Sequence, residues 1–172
     1  MVDYNLKQIK AFAFDVDGVL SPSTIPLGDD GYPKRMVNIK DGYALQLAIK
    51  KGFSIAIITG GTDKAVKKRY EALGIKEIYL GASKKLPILQ DWMERHSLAP
   101  EEVVFMGDDI PDLPCLRHVG LPCAPFDACW EAKSTAIYIS RFSGGYGCVR
   151  DILEQTMKAQ DLWLTDAEAF GW

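Results

Sequence analysis

Five short apolar runs, at residues 9–14, 53–58, 78–80, 103–106 and 136–139, lack the polar alternation of a half-exposed strand. That pattern suits strands covered on both faces. Between and after them lie amphipathic stretches at 41–51, 63–73, 85–96, 112–119 and 149–160, which predict helices, the fourth a short one. Gly52 follows the first and Gly74 the second, each placed as a C-terminal stop. The repeated strand–helix rhythm predicts an α/β fold, a doubly wound parallel sheet with right-handed crossovers.

Two segments break that rhythm. Gly28-Asp29-Asp30-Gly31 is a turn signal between Thr24-Ile25-Pro26-Leu27 and Arg35-Met36-Val37-Asn38-Ile39. It predicts a β-hairpin over about 21–40, a flap or a contact between copies. The second segment, about 143–172, opens with the glycine-rich Ser143-Gly144-Gly145-Tyr146-Gly147 and ends with Trp163, Phe170 and Trp172. Large apolar groups in a tail call for a surface to dock on, either a neighbour's or its own.

The 172 residues fit one domain (1–172), and 48% hydrophobic with 25% charged residues is the balance of a globular protein. A net charge of −3 argues against nucleic acid as a partner. No stretch approaches a membrane span, and the N-terminus lacks a signal-peptide pattern, so the expected location is cytoplasmic. The four cysteines show no metal or disulfide spacing and read as buried thiols. With only His96 and His118, a histidine-centred triad or zinc site is disfavoured.

The candidate chemistry falls at the C-terminal ends of predicted strands, where open parallel sheets place their ligands. The first strand runs into Asp15-Val16-Asp17-Gly18. Gly18 permits a sharp departure, letting two carboxylates surround one small volume, which is costly unless a cation or a reacting phosphate sits there. The second delivers Thr59-Gly60-Gly61, a hydroxyl and close backbone N–H groups suited to an anion. The third leads to Lys84-Lys85; a lysine opening a helix opposes the helix dipole and asks for an anionic partner. The fourth leads to Asp108, Asp109 and Asp112, a hard-oxygen set suited to Mg²⁺, with Asp112 also placed to cap the next helix. Taken singly, each has a plain alternative in a solvated turn or surface lysine. Together they supply a phosphoryl-transfer site: a carboxylate nucleophile, a second carboxylate as acid and base, and cations to offset the charge on phosphorus.

The order DxDGxL, then Thr, Lys and GDDxxD, resembles the haloacid dehalogenase superfamily of phosphatases. The resemblance implies Asp15 as nucleophile and metal ligand, and Asp17 as general acid/base with its backbone carbonyl on the metal. It implies Thr59, Gly60 and Lys85 on the phosphoryl group, Asp108 on Mg²⁺, Asp109 in the hydration shell and Asp112 orienting the lysine. Lys85 is preferred to Lys84 because Gly81 to Lys85-Leu86 matches the family spacing. Neither gap between motifs is long enough for an inserted cap domain. Asn38-Ile39-Lys40-Asp41-Gly42-Tyr43 and Gly144-Gly145-Tyr146-Gly147-Cys148-Val149-Arg150-Asp151 are similar to the tetrameric 3-deoxy-D-manno-octulosonate 8-phosphate (KDO 8-phosphate) phosphatases. That branch implies a homotetramer, a glycine-rich tail reaching a neighbour's site, a phosphorylated sugar acid as substrate, and a step towards lipopolysaccharide. Many of its members carry Arg after the Thr-Gly pair, where it suits a carboxylated substrate; this chain has Gly61. Lys64, Lys67, Lys68, Arg69, or Arg150 from a neighbour are the compensating candidates, and a nine-carbon keto-acid 9-phosphate is the alternative substrate. A receiver-type phosphoacceptor module is the rival of another class, disfavoured because Asp15 and Asp17 share one strand end.

Overall fold

Alternating side chains of the first strand show how the sheet is covered. Phe12 and Phe14 point to one face, stack on each other with ring centroids 6.0 Å apart, and join a core with Leu45, Ile152 and Leu153. Ala11 and Ala13 point to the other, where Leu89, Trp92 and Leu116 pack close to the backbone. All four strand residues are fully buried, as an apolar run without alternation requires. The computed structural model describes residues 2–171.

Six strands form one sheet: β1 (Ala11–Phe14), β2 (Ser54–Ile58), β3 (Glu77–Tyr79), β4 (Val103–Met106), β5 (Leu121–Ala124) and β6 (Tyr138–Ile139). Their order is β3-β2-β1-β4-β5-β6, and every pairing is parallel. The winding therefore reverses between β1 and β4, in register at Phe14↔Met106. Helices α1 (Ile39–Lys50), α2 (Lys64–Glu71) and α6 (Cys148–Ala159) cover the Phe12 face. Helices α3 (Lys85–Arg95), α4 (Leu113–Leu116) and α5 (Trp130–Thr135) cover the Ala13 face. Both predicted glycine stops hold: Gly52 and Gly74 have φ of 89° and 92°, the left-handed region where a side chain is disfavoured. Among the described residues no helix is long and apolar enough to cross a membrane.

The structure departs from the sequence reading in four places. β5 and α5 were not expected, and Pro122 in an interior strand is what hid β5. Its carbonyl accepts from Ile137 N–H at 2.9 Å on the β6 side, and β6 pairs only from Cys123 onward, so the missing donor removes no ladder bond. The hairpin is reduced to its turn. Gly28 N–H donates to Tyr32 C=O and Lys34 N–H to Pro26 C=O, with one antiparallel bridge at Leu27↔Pro33, but the arms do not extend into strands. The second arm ends instead at Asn38, whose side chain accepts from the Lys40 and Asp41 N–H groups and starts α1 two residues early. Asp112 does not cap α4 with its side chain, which turns back into the site.

The C-terminal segment packs on its own chain. Gly145 N–H donates to Val19 C=O at 2.7 Å, and a Cβ on Gly144 would meet the Gly18 carbonyl oxygen at 1.8 Å. Further on, Tyr43 O–H donates to Ala169 C=O at 2.6 Å, Lys51 pairs with Asp166, and the Tyr43 and Trp163 rings meet edge to face. Phe170 is exposed, and Trp172 lies outside the described residues.

Candidate active site

The reversal between β1 and β4 opens a crevice at the strand C-termini, and the two strands deliver Asp15 and Asp108 into it. Gly18, at φ 87°, turns the chain sharply out of the sheet. It also makes room: a Cβ there would lie 1.9 Å from Asp108 Oδ2. Lys85, the first residue of α3, has its ammonium 2.9 Å from Asp15 Oδ2 and 2.7 Å from Asp112 Oδ1. The lysine misplaced for its helix dipole thus has its anionic partners. Asp112 is nearly fully buried, and its other oxygen accepts from the backbone N–H of Asp108 at 3.0 Å and of Asp109 at 3.4 Å. That side chain fixes both the lysine and the loop carrying Asp108.

The carboxylates of Asp15, Asp108 and Asp112 have oxygens within 4.8 Å of one another. Three negative charges against one buried ammonium leave a deficit of two positive charges, the charge of a magnesium ion. Among the described residues, the Asp108 carboxylate accepts no hydrogen bond. Burial first, then the charges of Asp15, Asp112 and Asp109, push it up to about 7. Burial and Asp112 likewise raise Asp15 above its ordinary range, against the pull of Lys85. A hard cation would relieve both, so the residues fit Mg²⁺. The surrounding cleft, about 270 Å³, is lined by Asp15, Asp17, Ser23, Lys85, Asp108, Asp109, Pro111 and Asp112.

Other predicted residues are placed differently. Asp17 lines the cleft, yet its carboxylate is not one of the clustered three and accepts instead from Arg35 Nε at 2.7 Å and Nη2 at 2.8 Å. Thr59 is buried at the end of β2, its Oγ1 accepting from Gly61 N–H at 3.1 Å, with Gly60 exposed beside it. Arg150 is not brought to its own chain's cleft. It sits on α6, bonded through Nε to Glu154 and lying over the Tyr43 and Trp163 rings. Lys64, Lys67, Lys68 and Arg69, on α2, do not line the cleft. Sequence reasoning missed Arg35, although a charged residue inside the apolar arm Arg35-Met36-Val37 was a signal.

The Escherichia coli K12 protein named 3-deoxy-D-manno-octulosonate 8-phosphate phosphatase is 38% identical to this chain over 154 residues, 90% of this chain and 82% of that protein. The chain belongs to the 3-deoxy-D-manno-octulosonate 8-phosphate phosphatase family, within the haloacid dehalogenase superfamily. No protein-family model matches it. A crystal structure of the Yersinia pestis phosphatase of that name superposes with a TM-score of 0.88 at 35% identity, over 92% of this chain and 85% of the other. The Moraxella catarrhalis phosphatase, solved with a magnesium ion, a phosphate ion and a KDO molecule, superposes with a TM-score of 0.87 at 34% identity, over 91% and 90%.

Proposed function

We propose that this chain hydrolyses KDO 8-phosphate to KDO and phosphate through an aspartyl-phosphate on Asp15. The observation that carries the reading is the two-charge deficit among Asp15, Asp108, Asp112 and Lys85 at the sheet's reversal point. The names of the relatives supply the sugar acid.

Asp15 attacks phosphorus; the bond from its carboxylate oxygen to phosphorus forms as the bond to the sugar oxygen breaks. Asp17 gives a proton to that departing oxygen. It then takes one from the water that attacks the aspartyl-phosphate, which returns Asp15 as a carboxylate and releases phosphate. Lys85 offsets charge on the equatorial oxygens, while the Thr59 hydroxyl and the Gly60 N–H orient them. Asp15 and Asp108, with the Asp17 backbone carbonyl, hold Mg²⁺; Asp109 orders its water shell and Asp112 fixes Lys85. Bound there, the ion withdraws electron density from the phosphoryl oxygens.

Residues 1–172 work as one catalytic unit in a homotetramer. Leu27, Tyr32, Met36, Val37 and Ile39, exposed by 47–73%, support a copy-to-copy contact through the loop before α1 and that helix's first residue. Equilibrium sedimentation at the mass of four chains tests it. A steady-state screen of eight- and nine-carbon keto-acid phosphates with Mg²⁺ tests the substrate, with KDO 8-phosphate expected to give the highest kcat/KM. Asp15→Asn is expected to abolish phosphate release with circular dichroism unchanged. Continued turnover in that variant, or a single stoichiometric phosphorylation by wild-type protein, overturns the mechanism.

A further inference from the structure

Arg35 has no part in the reaction as set out above, yet it is bound to one of its residues. It comes from the loop before α1, 18 positions beyond Asp17, and grips both oxygens of that carboxylate with Nε and Nη2. Its Nη1 lies 3.7 Å from Asp63 Oδ2. The Arg35 side chain is only 10% exposed, whereas Asp17 is 36% exposed and lines the cleft.

The space around the guanidinium is provided by a missing side chain. A Cβ on Gly61 would come within 2.8 Å of Arg35 Nη2, 3.2 Å of its Cζ and 3.4 Å of Thr59 Oγ1. Gly61 is not among the glycines with positive φ, so backbone conformation does not call for glycine there. What its absent side chain permits is the approach of Arg35 to the Thr59-Gly60 end of β2.

We propose that Arg35 is the specificity-determining residue for the substrate's carboxylate, resting on Asp17 until that carboxylate takes its place. This rests on the sugar-acid reading of the site. A planar fork matched to one carboxylate is matched to another. A substrate bringing its own carboxylate exchanges like for like, and frees Asp17 to turn towards the phosphoryl group. A phosphate ester without a carboxylate must break the pair and leave a largely buried guanidinium with only the longer 3.7 Å contact to Asp63. Arg35 therefore favours acidic sugar phosphates by rewarding them and by penalising neutral ones.

The test compares wild type, Arg35→Gln, Arg35→Lys and Gly61→Ala on KDO 8-phosphate, a nine-carbon keto-acid 9-phosphate and D-arabinose 5-phosphate, which has no carboxylate. Arg35→Gln is expected to raise KM for the keto-acid esters at least about tenfold, with a smaller change in kcat, the range for losing a charge-assisted pair. The ratio of their kcat/KM to that of the pentose phosphate falls by the same factor. Arg35→Lys keeps the charge without the fork and restores part of the ratio. Gly61→Ala, which crowds the guanidinium and leaves its chemistry intact, lowers the ratio in the same direction. Equal loss on all three esters overturns the proposal, because Arg35 would then serve only the phosphoryl group or Asp17. Wild-type preference for the nine-carbon ester would sink the named substrate and leave the Arg35 assignment standing, since both acids present the same carboxylate.

Discussion

Placing a methyl group on Gly18 separates the two jobs that this residue performs. Gly18 sits at φ 87°, and a non-glycine residue in the left-handed region costs about 1–2 kcal/mol. That part is backbone strain and is independent of metal. The second part is local: an alanine Cβ would lie 1.9 Å from Asp108 Oδ2, and ordinary contact begins at 3.4 Å, so the carboxylate must withdraw by about 1.5 Å. Among the described residues no donor reaches the Asp108 carboxylate, so the displacement falls on a group proposed to hold the ion. Gly18→Ala is therefore expected to weaken Mg²⁺ binding by about 10–100-fold, the range for disturbing what supports a metal ligand. Urea unfolding in excess chelator isolates the strain. Calorimetric titration with Mg²⁺, repeated as unfolding at saturating ion, isolates the ligand displacement through the extra stability that binding confers. A folded Gly18→Ala protein with wild-type Mg²⁺ affinity would refute the reasoning.

Two further substitutions probe buried charge. Lys85→Met leaves Asp15 and Asp112 facing each other without their cation and is expected to cost about 3–5 kcal/mol at pH 8. The loss should shrink at pH 5 as a carboxylate takes up a proton; a pH-independent loss in urea melts would contradict it. Asp41, from α1, accepts from Arg150 N–H at 2.7 Å in the first turn of α6, while its Oδ2 is buried without a partner. Burial outweighs the Arg150 and Gly147 N–H bonds and pushes Asp41 up to about 6. Its folded value lies above 3.8, so its contribution to stability is full below pH 3.8 and lost as pH rises through about 6. Asp41→Asn keeps an acceptor and cannot ionise. Between pH 5 and pH 8 its stability should gain on the wild type by about 1–2 kcal/mol; a difference flat across that range would refute the assignment.

How much was legible follows from how local each signal is. β1, β2, β3 and β4 announce themselves as apolar runs ending at a carboxylate, threonine or glycine, and the motif residues lie within a few positions of those ends. Asp15, Lys85, Asp108 and Asp112 converge because parallel topology puts all strand C-termini on one edge. β5 was hidden because Pro122 reads as a breaker, and only the late start of β6 makes it harmless. The extended hairpin failed for a different reason. Arg35, Met36 and Val37 suit a strand by composition, but within one chain Arg35 is claimed by Asp17 and Asn38 by α1.

The segment 15–22 is held by two parts of the chain that the sheet does not order. Arg35 fixes the Asp17 carboxylate, while Gly144 and Gly145 lie against Gly18, Ser21 and Pro22, with Asn38 Nδ2 donating to Gly145 C=O at 3.1 Å. Asn38 is thus the N-cap of α1 and a strut to the glycine-rich loop at once. The loop before α1 and the loop before α6 therefore meet around the residues to which the proposed chemistry is assigned. A Cβ on Gly144 would strike a backbone oxygen, which has no rotamer to escape into, whereas one on Gly61 would strike only the end of a flexible arginine. The two glycines consequently constrain different things: Gly144 the shape of the site, Gly61 the position of its guanidinium.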